Sequence, residues 1–277
     1  MLINTFMKML SYPFLLNALV VGILVSLCAS LLGVSLVLKR YSMIGDGLSH
    51  VGFAALAVAY AMNVAPLTVS IPVCVVTAFL LLRMKENSKL KGDAATALLC
   101  SGALAIGVMT ISLTTGMNTD VCNYMFGSIL SMSKSDVKLS IILSIVVLIL
   151  YVIFYNKIFA VTFDETFAKA TRTRSDFYNM LMALLTAITV VLGMRMMGTL
   201  LISSLIIFPA LSSMRICKKF RSVIICSAML SVVCFVAGIY FSYMYSTPTG
   251  ASIVIADIIM FLLFAFIEKI KGRERHE

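Results

Sequence analysis

Two polar residues stand four positions apart in an otherwise apolar run of the sequence. Asp46 and His50 both lie in the run that covers residues 43–62. In a helix this spacing places the two side chains on one face, with their β carbons about 5–6 Å apart. A carboxylate and an imidazole that converge in this way offer oxygen and nitrogen donors, which suit Zn²⁺ or Mn²⁺ better than Ca²⁺ or Mg²⁺. We therefore treat Asp46 and His50 as candidate metal ligands.

Two other interpretations of the pair stay open at the level of the residues alone. Asp46 and His50 could form a structural ion pair that fixes this helix to a neighbour, or they could relay protons. His50 is the only histidine in an apolar run, because His276 lies in the charged C-terminal tail. That isolation favours a functional role.

A third ionisable residue, Asp257, lies in the last apolar run. A charged side chain at the centre of a membrane helix costs about 2.5–3.5 kcal/mol on insertion scales, so such residues are candidates for function. Asp257 could face the same pathway as Asp46, or it could bond to a partner helix. Arg195 falls at the end of another run, where its long side chain can reach the polar interface without any functional role.

The elements that carry these residues are membrane-spanning helices. Hydrophobic residues make up 61% of the 277 and charged residues 12%, about half the charged share of a soluble domain. A bilayer crossing needs roughly 20 apolar residues, and the runs here have that length. We predict an all-α, polytopic transmembrane helical bundle of eight or nine spans, since the seventh run is short and contains Pro209, which allows a broken or re-entrant helix. The candidate spans are 13–38, 43–62, 65–84, 94–115, 138–157, 177–194, 198–214, 222–245 and 250–268.

The distribution of basic residues predicts the orientation. All but four of the 22 Lys and Arg residues fall in alternate connections or in the C-terminal tail, the exceptions being Lys8, Lys134, Lys138 and Arg195. By the positive-inside rule the N-terminus is outside and the C-terminus is cytoplasmic. The net charge of +10 then reflects topology and contact with anionic lipid, and it requires no nucleic-acid partner.

Several classes of function are excluded by what the sequence lacks. No connection is long enough for a soluble domain, so residues 1–277 form a single transmembrane domain. The sequence has no GxxxxGK[ST] loop, no HExxH and no GxSxG, which argues against ATP hydrolysis and against an intramembrane hydrolase. We expect a transport protein, with no enzymatic activity and no bound cofactor of its own.

Five segments of the sequence, in the same order, resemble the permease family of ABC-type zinc, manganese and iron importers. The strongest runs from Lys39 to His50 and looks like the family's basic-S-x-x-G-D-x-L-x-H signature. Two others resemble its F-G-[DNS]-I-L and F-D-x-x-x-A-x-A segments. Together they cover most of the chain from about residue 35 onward. The five segments are Lys39 to His50, Phe126 to Leu130, Phe163 to Ala170, Gly198 to Ala210 and Pro248 to Ser252.

The resemblance implies a multi-pass protein of a prokaryotic cell membrane that works with other chains. These would be two cytoplasmic ABC ATPase subunits, an extracellular or periplasmic metal-binding protein, and a second permease chain, expected to be an identical copy. The transported Zn²⁺, Mn²⁺ or Fe²⁺ is then substrate. Asp46 and His50 match the family's pathway positions.

The resemblance also implies that about residues 162–175 form the segment that couples the permease to the ATPase. Its candidate contact residues are Asp164, Glu165, Ala168, Lys169 and Arg172.

Two positions depart from the family pattern. Ser128 stands where an acidic or amide residue is frequent, which weakens the case for a pathway role there. Thr171 stands where a glycine often closes the coupling segment.

The mechanism predicted on this basis is alternating access driven by ATP on a partner chain. The rival mechanism is a secondary transporter that exchanges a cation for protons through Asp46, His50 and Asp257. Such a transporter needs no ATPase, so activity in the absence of one distinguishes the two.

Overall fold

The computed structural model describes residues 13–87, 92–114 and 134–273. Within these ranges every element of regular secondary structure is a helix, which confirms the predicted all-α fold. The helices are α1 (Pro13–Leu38), α2 (Ile44–Ala61), α3 (Pro66–Asn87), α4 (Gly92–Leu113), α5 (Lys134–Ile153), α6 (Tyr155–Phe163), α7 (Glu165–Ala170), α8 (Ser175–Met197), α9 (Thr199–Ile216), α10 (Phe220–Tyr245) and α11 (Thr249–Arg273).

Eight helices of the described chain are long and apolar enough to cross a bilayer: α1, α2, α4, α5, α8, α9, α10 and α11. The ninth candidate, α3, covers Pro66–Asn87, and its described apolar part is Pro66–Leu81, so eight or nine spans remains the right description. Helix α9, with 18 residues, is among the shortest of the nine, as the sequence predicted. The expected break at Pro209 is wrong, because α9 continues through this proline. Neighbouring helices can support a proline inside a membrane helix.

Helix α2 lies in the middle of the bundle, in contact with α3, α4, α8 and α9. Most of its side chains are buried, including Leu48, Phe53 and Leu56. On the other side of α9, helix α1 packs against α8, α9 and α10, and α11 packs against α9 and α10. The backbones of α1 and α9 touch at Gly33, where a β carbon would overlap the carbonyl oxygen of Ile206. This close approach sets α9 against the start of α2.

The outer helices present apolar side chains to their surroundings. In the apolar stretch of each of the helices α4, α5 and α11, only 22% is buried inside the protein, against 72% in α2 and in α8. An exposed apolar surface of this extent is unstable in water and stable in lipid. The arrangement is that of a multi-pass membrane protein.

The region after α5 is more helical than the sequence suggested. The predicted span 138–157 ends early, because α5 stops at Ile153 and a new helix, α6, begins at Tyr155. Helix α6 buries one side and exposes the other: Ile158 and Val161 are buried, whereas Phe159 and Phe163 are exposed. It occupies part of the connection between the predicted spans 138–157 and 177–194.

Each of three ion pairs joins helix ends that the predicted orientation places on the same side of the membrane. Lys39 after α1 meets Glu165 of α7, and Arg215 of α9 meets Glu268 of α11, all at ends predicted to be cytoplasmic. At the opposite ends, Arg195 of α8 forms an ion pair with Asp136 of α5. Arg195 therefore has a specific partner, although the sequence suggested only a side chain extended to the interface. The orientation itself stays a prediction.

Candidate metal site and coupling segment

Asp46 and His50 lie on the first turns of α2. The helix begins at Ile44 with no side-chain cap, and the Asp46 carboxylate lies in its first turn, where the helix dipole favours a negative charge. His50 follows one turn later, and its Nε2 lies 3.8 Å from Asp46 Oδ1. The structure thus brings the two predicted ligands together on one face of α2, just beyond hydrogen-bond distance.

A third polar residue, Ser203 of α9, joins the pair. Its Oγ lies 3.2 Å from Asp46 Oδ1 and also 3.2 Å from the carbonyl oxygen of Thr199, so the single hydroxyl proton has two alternative acceptors. Sequence reasoning did not select Ser203. It lies 157 positions from Asp46 in a segment with other serines, and nothing in its spacing indicates which serine faces α2.

The contact with Ser203 gives the position of Asp46 along helix α9. Asp46 is in the first turn of α2, and sequence position alone would put it at the membrane boundary. Ser203 is only one turn from the start of α9, and the rest of that helix, from Ser203 to Ile216, is about 20 Å long. The carboxylate therefore lies about 20 Å, along the axis of α9, from the C-terminal end of that helix.

The pair keeps bonding capacity that the protein does not use. His50 Nδ1 is buried and has no hydrogen-bond partner. The Asp46 side chain is 38% exposed and the His50 side chain 21%. Across the part of the chain that the structure describes, no group of three or more His, Cys, Asp or Glu residues could hold a metal ion. Asp46 and His50 therefore offer an open set of donors, which can bind an ion and release it again.

The predicted coupling segment folds into a short helix, α7. Asp164 caps it, because one carboxylate oxygen accepts a hydrogen bond of 2.9 Å from the Phe167 backbone N–H. Glu165 and Lys169 form an ion pair of 3.1 Å along the helix, and Ala168 is fully buried beneath them. The neighbouring Phe167 is 63% exposed. The segment thus presents charged and aromatic side chains on a fixed backbone.

The conformation at the end of α7 explains why Thr171 can stand where the family often has a glycine. Thr171 has φ −83°, which suits any residue, so no glycine is needed there. The left-handed residue is the next one, Arg172, with φ 57°. Arg172 therefore turns the chain out of α7, a task that often falls to glycine.

Comparison with known proteins decides the family. The model of the ABC 3 transport family matches residues 11–268, nearly the whole chain. The chain belongs to the ABC 3 transport family. The resemblance deduced from the sequence motifs is confirmed, and this ABC 3 protein is a membrane permease subunit.

Individual relatives of this ABC 3 permease cover it almost end to end. It is 28% identical over 267 residues to the manganese transport system membrane protein MntC of Halalkalibacterium halodurans, covering 96% of this chain and 91% of MntC. It is 27% identical over 255 residues to the high-affinity zinc uptake system membrane protein ZnuB of Haemophilus influenzae, covering 92% and 98%. Among solved structures, PsaBC from Streptococcus pneumoniae in complex with Fab matches with a TM-score of 0.85 at 27% identity, covering 95% of both chains.

The last two predicted positions lie apart from the Asp46–His50 pair. Asp257 of this ABC 3 permease is 2% exposed on α11, near the Cys234 thiol of α10. Its second oxygen, Oδ2, is buried without a hydrogen-bond partner. It does not join Asp46 and His50 in a common cluster among the described residues. Ser128 lies outside the described residues.

Proposed function

We propose that this chain is the membrane permease subunit of an ATP-driven importer that carries manganese or zinc into the cell. The proposal is supported by the relatives, which include manganese and zinc transport proteins, and by the chemistry of the candidate site. A carboxylate oxygen and an imidazole nitrogen together suit both of these ions. Iron, which the sequence motifs also allow, is included in the test below.

The observation that carries the proposal is the open arrangement of Asp46 and His50 inside the bundle. Their separation of 3.8 Å leaves both groups able to turn toward an ion, and His50 Nδ1 or Nε2 can supply a lone pair. Ser203 can orient the carboxylate through its hydroxyl, as outer-shell hydrogen bonds do at metal sites. Two protein ligands bind a divalent ion weakly, and weak binding allows fast release on the inner side.

The importer requires further chains. The sequence contains no nucleotide-binding loop, so ATP hydrolysis falls to cytoplasmic ABC ATPase subunits. An extracellular or periplasmic binding protein would deliver the metal. We further propose that two copies of this permease associate. A second copy could bring a second Asp46–His50 pair to the ion, because one described chain provides no three-ligand cluster.

The coupling segment, about residues 162–175, would receive the ATPase. Helix α7 exposes Phe167 and carries the Glu165–Lys169 pair, while Ala168 and the Asp164 cap hold its backbone. Arg172 continues this surface beyond the end of α7. Such a mixed aromatic and charged surface is typical of protein interfaces.

Uptake of radioactive manganese, zinc and iron into cells that lack their own importers tests the function. The chain is expressed with and without its partner ATPase, as the wild type, Asp46→Asn and His50→Ala. His276→Ala is the matched control, because it removes the only other histidine. Correct membrane insertion of each variant is checked by its abundance in the purified membrane.

The expected result is ATPase-dependent uptake of manganese or zinc that both site variants abolish and the control keeps. Uptake of equal rate without the ATPase would instead indicate the proton-coupled secondary transporter. Normal uptake by both Asp46→Asn and His50→Ala would show that the pair has only a structural role.

A further inference from the structure

We infer that Lys39 is a positioning residue that connects the coupling helix α7 to the metal-site helix α2. The inference rests on the proposed function, because it assumes that an ATPase acts on α7. It adds a residue that lies outside both the metal pair and the coupling surface. Lys39 is the first residue after α1, seven positions before Asp46 in the chain.

The contacts of Lys39 bring three parts of the chain to one point. Its Nζ donates a hydrogen bond to the side-chain oxygen of Asn179 on α8. The same Nζ lies 4.0 Å from Glu165 Oε2 on α7. The ammonium group therefore stands between α7, α8 and the connection to α2.

The Lys39 side chain is only 10% exposed, although lysine is among the residues least often buried. A buried ammonium group is stable only where partners compensate its loss of water. Asn179 and Glu165 provide that compensation. If α7 moves, Glu165 moves with it, so the position of α7 is linked directly to the position of the Lys39 side chain.

Helix α7 is itself held by the same group of charges. Lys169 pairs with Glu165 at 3.1 Å and with Asp176, near the start of α8, at 3.7 Å. With six residues, α7 is too short to be stable by itself. Its position is thus determined by these side-chain contacts and by the buried Ala168.

The connection from Lys39 to α2 is short and internally bonded. The backbone N–H groups of Arg40 and Tyr41 bond back to α1, to the carbonyls of Val37 and Leu36, and the Ile44 N–H bonds to the Tyr41 carbonyl. Arg40 adopts the left-handed conformation, with φ 60°, that closes the turn. A turn held in this way transmits a displacement of Lys39 to the start of α2, and hence to Asp46.

The test uses the permease reconstituted in vesicles with its ATPase and binding protein. Lys39→Met removes the charge but keeps the length of the side chain, and Lys39→Arg keeps the charge. Lys218→Met is the matched control, because Lys218 is an exposed lysine at the same predicted membrane face. The readouts are metal imported per ATP hydrolysed and the amount of ATPase that copurifies with the permease.

For Lys39→Met we expect normal copurification of the ATPase and a roughly tenfold loss of metal imported per ATP, the scale on which residues along a coupling route act. Lys39→Arg should recover most of the loss, and Lys218→Met should match the wild type. A Lys39→Met protein with the wild-type ratio would overturn the inference and leave the proposed function intact. Absence of ATP-dependent import by the wild type would overturn both.

A double-mutant cycle identifies the partner. If Lys39 acts through α7, Lys39→Met and Glu165→Gln together should lower the ratio by less than the product of their two separate effects. Effects that multiply would show that Lys39 and Glu165 act independently, which contradicts the connection.

Discussion

Two acid–base pairs of this bundle differ in the distance between their charged groups and in their exposure. Arg195 and Asp136 lie at 2.8 Å and 3.1 Å in a two-bond contact, with side chains 13% and 15% exposed. Asp46 and His50 lie at 3.8 Å, with larger exposed fractions and with one imidazole nitrogen that has no partner. The first pair uses its charges to satisfy each other, whereas the second retains the capacity to bind something else.

The difference separates an aspartate that stabilises the fold, Asp136, from one that serves transport under the proposed function, Asp46. A guanidinium and a carboxylate in two-bond contact form a strong, specific link between α5 and α8. An imidazole and a carboxylate held loosely cost the protein some stability, but they can exchange their contact for a metal ion. The distance and the exposure of each pair, more than its charge, indicate which role it has.

The largest expected effect is the loss of the buried pair. Arg195→Met leaves the Asp136 carboxylate without its guanidinium, so we expect the free energy of unfolding to fall by about 3 kcal/mol. Equilibrium unfolding of the purified permease in mixed micelles measures the change. Arg215→Met is the matched control: its pair with Glu268 is 36% and 47% exposed, and its loss should cost less than about 1 kcal/mol. Equal losses for the two variants would contradict the distinction between them.

The next effect concerns the loosely held pair and should appear in transport. Asp46→Asn removes a proposed ligand, so we expect metal uptake to fall by roughly a hundredfold. The free energy of unfolding should change little, because Asp46 contributes few strong bonds to the fold. If Asp46→Asn unfolds as easily as Arg195→Met, the two pairs have the same structural role and the comparison fails.

A smaller effect is expected from Ser203. Ser203→Ala removes the hydroxyl near Asp46 but not the carboxylate, so metal uptake should fall by about tenfold, with a higher metal concentration needed for half-maximal rate. Ser204→Ala is the control, because the Ser204 hydroxyl donates to the Leu201 carbonyl of its own helix. Identical uptake by Ser203→Ala and Ser204→Ala would remove Ser203 from the site.

The smallest effect is expected at α7, where a charged residue serves a local bond. Asp164→Ala removes the helix cap and should destabilise α7 by about 1 kcal/mol, with little change in global unfolding. The loss of α7 stability is measured as faster hydrogen exchange at the Phe167 amide. Lys218→Ala, at an exposed side chain outside α6, α7 and α8, is the control. Unchanged exchange in Asp164→Ala would show that the cap does not hold the helix.

Much of this fold could be predicted from the sequence, because membrane spans are specified by long apolar runs. The spacing of Asp46 and His50 was likewise sufficient to place them on one face of α2. The break at Phe154, between α5 and α6, was not predictable, since no proline or glycine marks it and its two neighbours, Ile153 and Tyr155, are hydrophobic. Packing of α6 against α8 and α1 determines it instead.

The parts of the site that were missed depend on contacts between distant segments. Ser203 reaches Asp46 because α9 packs closely against α1 at Gly33 and against α2 at Gly45. The Arg195–Asp136 pair likewise joins residues 59 positions apart, and a single basic residue near a helix end gives no sign of its partner. Local patterns identify which residues are costly in a membrane, whereas tertiary packing decides what each one touches.

The junction between α8 and α9 has a consequence for how this protein can change during evolution. A single residue, Gly198, separates the two helices, with φ 86° and ψ 164°, a backbone conformation that residues with a β carbon rarely adopt. One inserted residue would rotate α9 by about 100° relative to α8 and turn Ser203 away from Asp46. Functional homologues should therefore tolerate insertions in their outer loops but keep this junction at constant length.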